Sequence, residues 1–349
     1  NAVHAFSYRA RLKRMRRVDN PKNRFEPQLV EWIGEAPFAS LEVHEEQAKS
    51  IVSENDSPDI GFRFSLNPYR GCYHACAYCY ARPSHQYWGF GAGTDFDRKI
   101  IVKVNAAELL RARFEQASWH GDSITFSGNT DCYQPLEAAW RLTRACLEVC
   151  AEYKNPVHII TKSPLIQRDI DVLSRLRERA RVRVHMSIAF ADDADSRKLE
   201  PGTSAPSKRF AALAALSSAG IETGIAIAPI IIGLNDDHIP QLLERARAAG
   251  ATHAFKTALR LPLEVADVFE PRLREAFPDA ADKVMHGILQ IRRGKKNESA
   301  FGDRMRGHGP RWQLVEDLFE LHFQRLKFSE IDPSVETTFE RPKAQLTLF

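Results

Sequence analysis

Three cysteines within eight positions constrain this chain more than any other feature: Cys72, Cys76 and Cys79, in the run Asn67-Pro68-Tyr69-Arg70-Gly71-Cys72-Tyr73-His74-Ala75-Cys76-Ala77-Tyr78-Cys79-Tyr80. The spacing C-x3-C-x2-C sets three thiolates on one tight loop, enough to hold three irons of a cubane cluster. Ferredoxin-type runs close such a site with a fourth cysteine nearby, whereas here the next one is Cys132. A cluster with three protein ligands leaves one iron open to a small molecule, which suits chemistry better than electron storage. Two other readings stand beside it. His74 or His85 could complete a structural zinc site, although zinc ligands usually pair as C-x2–4-C with a distant second pair. The third is a set of buried, unliganded cysteines, for which three in eight positions is dense.

The 349 residues allow one large α/β domain with extensions, or two domains. With 44% hydrophobic and 27% charged residues, the chain has the composition of a globular protein with a sizeable core. No apolar run approaches the roughly 18 residues of a membrane span, and no apolar signal segment opens the chain. Six cysteines, three of them clustered, do not read as a disulfide framework, so a reducing cytoplasm is the expected compartment. The total charge of +4 conceals a segregation: residues 1–24 carry +7 and residues 292–311 carry +5, leaving −8 for the rest. Two basic segments flanking an acidic body predict a polyanionic partner, nucleic acid being the commonest. Solvated basic tails are the plainer alternative.

From residue 60 short β-rich runs alternate with amphipathic helical stretches. The pattern predicts strands at 62–67, 100–104, 123–127, 157–161, 182–190, 221–230 and 252–259. It predicts helices at 106–118, 137–153, 166–178, 207–219, 238–249, 264–276, 281–292 and 311–326. Repeated βα units argue for a parallel sheet with helical crossovers, either an open doubly wound sheet or a barrel. Polar, Gly- and Pro-containing segments follow the strands, where a barrel carries its function. Residues 20–59 are loop-rich and take no assignment.

The cysteine run, with an aromatic residue (Tyr78) just before the third cysteine, resembles the signature of the radical S-adenosylmethionine superfamily. Over residues 60–330 the chain resembles that superfamily's spore photoproduct lyase-like branch. The segments that carry the likeness are Asn67-Pro68-Tyr69-Arg70-Gly71-Cys72, Ser127-Gly128-Asn129-Thr130-Asp131-Cys132-Tyr133-Gln134-Pro135-Leu136-Glu137, Ile160-Thr161-Lys162-Ser163, Leu199-Glu200-Pro201-Gly202-Thr203 and Ala228-Pro229-Ile230-Ile231. The resemblance implies a partial (β/α)6 TIM-like barrel with N- and C-terminal extensions. It implies a 4Fe-4S cluster on Cys72, Cys76 and Cys79, S-adenosylmethionine on the open iron, and a 5′-deoxyadenosyl radical formed by an electron from a donor such as flavodoxin or ferredoxin. The expected division is a basic, loop-rich 1–59, a core barrel at 60–260, a helical extension at 261–340 and an exposed tail at 341–349.

Further residues take roles in this frame. Ser127, Gly128 and Asn129 end a strand with small residues whose backbone can approach a ligand amine closely, or form an ordinary turn. Lys162 is expected to contact the methionyl carboxylate or ribose, the alternative being a surface lysine. Ser187, a lone hydroxyl in an apolar strand, needs a partner, either the ribose or the backbone. Glu200 and Arg209 are expected to pair at the site rim, or as a purely structural ion pair, and Pro229 to offer a flat surface to adenine, unless it simply ends its strand. Cys132 is the candidate hydrogen-atom donor, or a small core residue; in spore photoproduct lyase a cysteine near this turn does that work, and here Gly128 stands at the equivalent turn. Cys146 and Cys150, four apart on a helix, read as core packing.

Two segments point to partners. Residues 292–311, with four glycines, read as a flexible basic loop able to follow a phosphate backbone, or as a solvated hinge. Gln345-Leu346-Thr347-Leu348-Phe349, set apart by Pro342, resembles the bacterial sliding-clamp-binding motif; a tail folded back on the protein is the alternative. Together these readings predict a cytoplasmic radical enzyme acting on nucleic acid, most plausibly in DNA repair. Radical modification of a peptide or transfer RNA is the rival activity, and a clamp- or nucleic-acid-binding module with a structural cluster is the rival class.

Overall fold

The computed structural model describes residues 20–21, 24–25, 39–332 and 336–342. Residues 345–349 and nearly all of the first basic segment lie outside them. Ten strands are found among the described residues: β1 (Glu42–Glu46), β2 (Val52–Glu54), β3 (Phe64–Leu66), β4 (Tyr69–Arg70), β5 (Lys99–Lys103), β6 (Ile124–Phe126), β7 (Val157–Thr161), β8 (Val182–Ser187), β9 (Glu222–Ile230) and β10 (His253–Ala258). The main sheet runs β10-β9-β8-β7-β6-β3-β2, parallel throughout except for the antiparallel edge pair β2–β3. Its six parallel strands follow in chain order with no reversal. A doubly wound sheet has a switch point where the order reverses, so this is the partial (β/α)6 barrel, open between β2 and β10.

Alternation along each strand divides core from lumen. Ile124, Phe126, Ile159, Val184, Ile225 and Ile227 face outward into a core shared with Leu147, Leu173, Leu213, Leu216, Leu242 and Leu243 of the surrounding helices. Thr125, His158, Arg183 and Ser187 face the other way and line the lumen. Cys146 and Cys150 are fully buried in that outer core. A second core joins the cysteine loop (Cys76, Ala77, Tyr78) to Val265, Phe269 and Leu273 of helix Val265–Ala276 and to Val284 and Ile288 of helix Ala281–Ile291. The C-terminal helices thus brace the loop from behind.

The strand predicted at 100–104 is present but belongs elsewhere. As β5 it forms a separate three-stranded sheet, β1-β5-β4, with β1 parallel and β4 antiparallel to it. Apolar alternation reveals a strand but not which sheet it joins. The helix predicted at 137–153 is broken at Arg141, which adopts a left-handed conformation (φ 54°) between helices Glu137–Trp140 and Leu142–Glu152. The buried carboxylate of Glu137 accepts from Thr143 N at 3.0 Å and Arg144 N at 3.3 Å, capping the second helix. Helix Asp193–Leu199 escapes a periodicity search because its sequence is mostly polar; Asp192 caps it by accepting from Ala194 N and Asp195 N. Among the described residues of the unassigned 20–59 region, β1 and β2 are strands.

Residues 292–311 form a loop anchored at several points to the rest of the fold, more tied down than a free hinge, with Arg293, Lys295 and Lys296 exposed to solvent. Arg292 is fully buried and donates to the carbonyls of Leu259, Asp303, Arg304 and Arg306. Arg304 pairs with Asp59 at 2.6 Å, Lys296 with Glu270 at 2.7 Å and Arg293 with Asp303 at 3.4 Å. Residues 336–342 are pinned down as well. Phe339 packs on Phe114 and Tyr153, and Arg341 donates to Phe114 O, Gln116 O and Trp119 O at the end of helix Ala106–Glu115. No helix among the described residues is long and apolar enough to cross a membrane.

Candidate active site

The cysteine loop leaves β4 at Gly71, whose φ is +73°. A Cβ there would lie 2.9 Å from Phe96 O and 3.0 Å from His85 Cε1, so only glycine makes the turn. Short turns follow, with Ala75 N donating to Cys72 O and Cys79 N to Cys76 O, both at 3.2 Å. Cys72 and Cys76 are buried and Cys79 is partly exposed; all three are free thiols. Burial, reinforced by Asp131, pushes the Cys72 thiol well up, and burial with Glu200 does the same for Cys76. Loading a metal group here would therefore release protons.

All three cysteines line one cavity of about 660 Å³ at the carboxyl ends of the strands, within the size range of small-molecule sites. Tyr78, the 127–131 turn, Lys162, Ser187 and Pro229 line the same cavity. Among the described residues no three His, Cys, Asp or Glu side chains converge on one ion-sized point. A mononuclear zinc site needs that convergence, whereas the three ligands of a cubane bind three different irons. The donor set therefore fits a cluster better than zinc. His85, one candidate zinc ligand, instead bonds Lys99 O at 2.9 Å, and burial brings its pKa down to about 4.

Lys162, Ser187, Tyr78, Glu200 and Arg209 form one connected network. Lys162 Nζ donates to Ser187 Oγ at 2.8 Å, lies 3.2 Å from Glu200 Oε1, and sits over the Tyr78 ring. Lys162 is thus part of the cavity wall, and the partner of Ser187 is the lysine, with Ala228 O at 3.4 Å as a weaker acceptor. Tyr78 OH and Arg209 Nη2 both donate to Glu200, and Arg209 Nη1 donates to Ser187 O at 3.0 Å. Burial opposes ionisation of Glu200, but Arg209 and Lys162 overcome it and hold the carboxyl well below the usual range. The sequence reading placed the Glu200–Arg209 pair at the rim. Both are in fact fully buried and neither lines the cavity, because the pair stands behind Tyr78 and Lys162 and orients them.

Ser127 has φ +122° and its hydroxyl donates inward, to Ile160 O at 2.6 Å and Thr130 O at 3.2 Å, so this turn offers backbone to the cavity. Gly128 (φ +89°) accepts from Tyr80 OH, and exposed Asn129 donates to Ser84 Oγ at 3.2 Å. Pro229 follows a cis Ala228–Pro229 bond on the wall. Cys132 is not brought to the site: it is fully buried in the outer core, off the cavity wall, and burial pushes its thiol well up.

Asp131 carries a role that motif reading missed. Its carboxylate accepts from Thr161 Oγ1 and Lys162 N, both at 2.7 Å, and lies 3.4 Å from His74 Nδ1 in the cysteine loop. It ties the loop to the end of β7; its place in the 127–137 run was the only sequence signal. Deeper in the lumen, Thr125, His158, Arg183 and Glu222 occupy one register row across β6 to β9. Arg183 and Arg181 both pair with Glu222, at 2.6 and 3.0 Å, and His158 bonds His185 at 2.8 Å. The cavity reaches this polar row from the cysteine loop.

The Radical SAM superfamily model matches residues 66–246, and the chain belongs to that superfamily. An uncharacterized protein of Mycobacterium tuberculosis (strain ATCC 25618 / H37Rv), Rv2578c, is 34% identical over 258 residues, covering 73% of this chain and 76% of its own. A radical SAM Nalpha-GlyT isomerase of Pseudomonas phage M6 is 27% identical over 213 residues, covering 60% of this chain and 42% of its own. Spore photoproduct lyase complexed with dinucleoside spore photoproduct shares the fold, with a TM-score of 0.57 at 16% identity over 81% of this chain and 79% of that one.

Proposed function

We propose that this protein is a radical S-adenosylmethionine enzyme whose cavity holds a 4Fe-4S cluster on Cys72, Cys76 and Cys79 and the cofactor beside it. The carrying observation is that three free cysteines and the Lys162–Ser187–Tyr78 wall meet in one cavity at the carboxyl ends of a partial barrel. When bound, the reduced cluster supplies the electron that cleaves the sulfonium to a 5′-deoxyadenosyl radical. The residues of the chain bind and orient. Lys162 presents an ammonium to the carboxylate or ribose, with Ser187 as its neighbour and Glu200 fixing its direction. The 127–129 turn offers main-chain groups to the cofactor amine, and Pro229 a flat wall. Tyr78 and Tyr80 bound the reaction space on the cysteine-loop side. The deciding experiment is release of 5′-deoxyadenosine by anaerobically reconstituted, reduced protein, with Cys76→Ala as control; no release above that control would sink the reading.

The substrate we propose is nucleic acid, in a repair- or modification-like reaction. The fold shared with a lyase solved with dinucleoside spore photoproduct supports this, as does the +7 segment at residues 1–24. The solvent-exposed Arg293, Lys295 and Lys296 of the 292–311 loop add to the contact made by the N-terminal segment. Peptide or transfer RNA modification is the rival. A binding module with a structural cluster has no use for the Lys162 wall. Cys132 as hydrogen donor would require the core around it to open, so we place the donor among cavity-wall groups. Six free thiols suit a reducing compartment such as the cytoplasm, and flavodoxin or ferredoxin suits the donor role. The anchored 336–342 segment would deliver the Gln345–Phe349 motif from a fixed point to a sliding clamp. Equal recovery of purified clamp by full-length protein and by protein lacking residues 345–349 would remove that partner.

A further inference from the structure

Cys72 is gripped from outside its own loop by a side chain the proposed chemistry does not use. Gln134 is fully buried. Its Oε1 accepts from Tyr73 N at 2.9 Å and its Nε2 donates to Gly71 O at 3.1 Å. The amide therefore pairs with the residues before and after Cys72, as a neighbouring strand would. The main-chain groups of Cys72 are also engaged: its N–H donates to Phe96 O at 2.9 Å and its carbonyl accepts from Ala75 N at 3.2 Å. A side chain at Gly71 would meet Phe96 O at 2.9 Å and Ile100 Cδ1 at 3.0 Å. A primary amide, without changing its charge, accepts on one prong and donates on the other, and asparagine falls a methylene short. Arg82 acts similarly on the next cysteine, donating to Cys76 O from Nε at 3.1 Å and Nη2 at 2.9 Å.

We infer that Gln134 is a positioning residue for the cluster, fixing the backbone that carries the Cys72 thiolate; this rests on the reading that Cys72, Cys76 and Cys79 hold that cluster. Gln134 touches no cofactor. It acts through the Gly71–Tyr73 main chain, and its neutrality keeps a buried negative charge away from three thiolates.

The test uses full-length protein, reconstituted anaerobically, and needs no turnover. Wild type, Gln134→Met, Gln134→Glu and a control, Leu213→Ala in the outer core, are compared for rate of iron loss to a ferrous chelator and for the reduction potential of the cluster. Gln134→Met keeps the length but loses both prongs, and should lose iron about 10–100-fold faster, as loss of an outer-shell partner does elsewhere. Gln134→Glu, read at a pH above the raised pKa that burial gives a carboxyl, keeps one acceptor and adds charge, so its potential there should fall below that of wild type. Leu213→Ala should melt earlier yet hold its iron. Wild-type iron retention and potential in both Gln134 variants would overturn the inference. So would equally rapid iron loss from Leu213→Ala, which would mark the effect as general destabilisation. Should Gln134→Met fail to fold by circular dichroism, Gln134→Asn, too short to reach both main-chain groups, decides by the same iron-loss rate, and wild-type retention in it overturns the inference. Wild type that takes up no iron is seen first and sinks the underlying reading as well.

Discussion

The ammonium of Lys162 lies within 3.2 Å of both Ser187 Oγ and Glu200 Oε1, so its position is set before any ligand arrives. Replacing it by methionine keeps the chain length and removes a charge-assisted hydrogen bond. Cofactor affinity should weaken by about 1.5–3 kcal/mol while iron content is unchanged; an unaltered dissociation constant would reduce Lys162 to a wall residue. Glu200 differs, because its charge sits between two cations in the interior. Glu200→Gln leaves Arg209 buried without its carboxylate, which should cost about 3–5 kcal/mol in urea unfolding of the apo-protein. Lys162 and Glu200 were both legible as residues of interest. Their geometry was not, since Tyr78 and Glu200 meet across 122 positions of chain and no spacing rule reports such a contact.

At the scale of the element, periodicity read most helices and strands to within a few residues and failed where side chains from elsewhere intervene. The break at Arg141 is such a case: a continuous apolar pattern is interrupted because the Glu137 carboxylate caps a new helix start. Arg141 is an exposed, left-handed, non-glycine residue, a conformation that costs roughly 1 kcal/mol outside glycine. Arg141→Gly should therefore leave the apo-protein as stable as wild type or slightly more so, despite the entropy of glycine, in thermal melts. Clear destabilisation would show that the break is held by the arginine side chain itself. The same limit explains β5, whose apolar pattern is correct but whose partners β1 and β4 come from segments too short or too polar to declare themselves.

Across the whole molecule, the burial of titratable groups predicts a pH response. Burial takes His158 down to about 3, His85 to about 4 and His185, beside His158, well below its ordinary value of 6.5. A lowered histidine pKa means that the unfolded chain takes up a proton the folded chain refuses. Stability should be full above about pH 6.5 and fall as pH drops towards 4, by about 1.4 kcal/mol per pH unit for each histidine. Glu200 and Asp131, held low in the fold, add their losses only at still lower pH. Urea midpoints of the apo-protein at pH 7.5 and 5.5 measure this, and equal midpoints would contradict it. If nucleic acid is the substrate as proposed, its affinity should fall with log salt at a slope of about 0.7–0.9 per phosphate contact, and removing residues 1–24 should flatten that slope.

What the sequence determined by itself is what local pattern encodes: the C-x3-C-x2-C loop, the order of βα units, and the segments that would meet at the strand ends. The sequential strand order, which separates a barrel from a doubly wound sheet, came only from the tertiary structure. So did the burial of Glu200 and Arg209, the withdrawal of Cys132 into the core and the anchoring of the 292–311 loop to Asp59, Leu259 and Glu270. The reason is physical. Periods of 2 and 3.6 residues report which face of an element is apolar, because side-chain direction repeats along the backbone. Whether a charge meets solvent, a ligand or a counter-charge depends on chain brought from far away, and that is decided only when the elements pack.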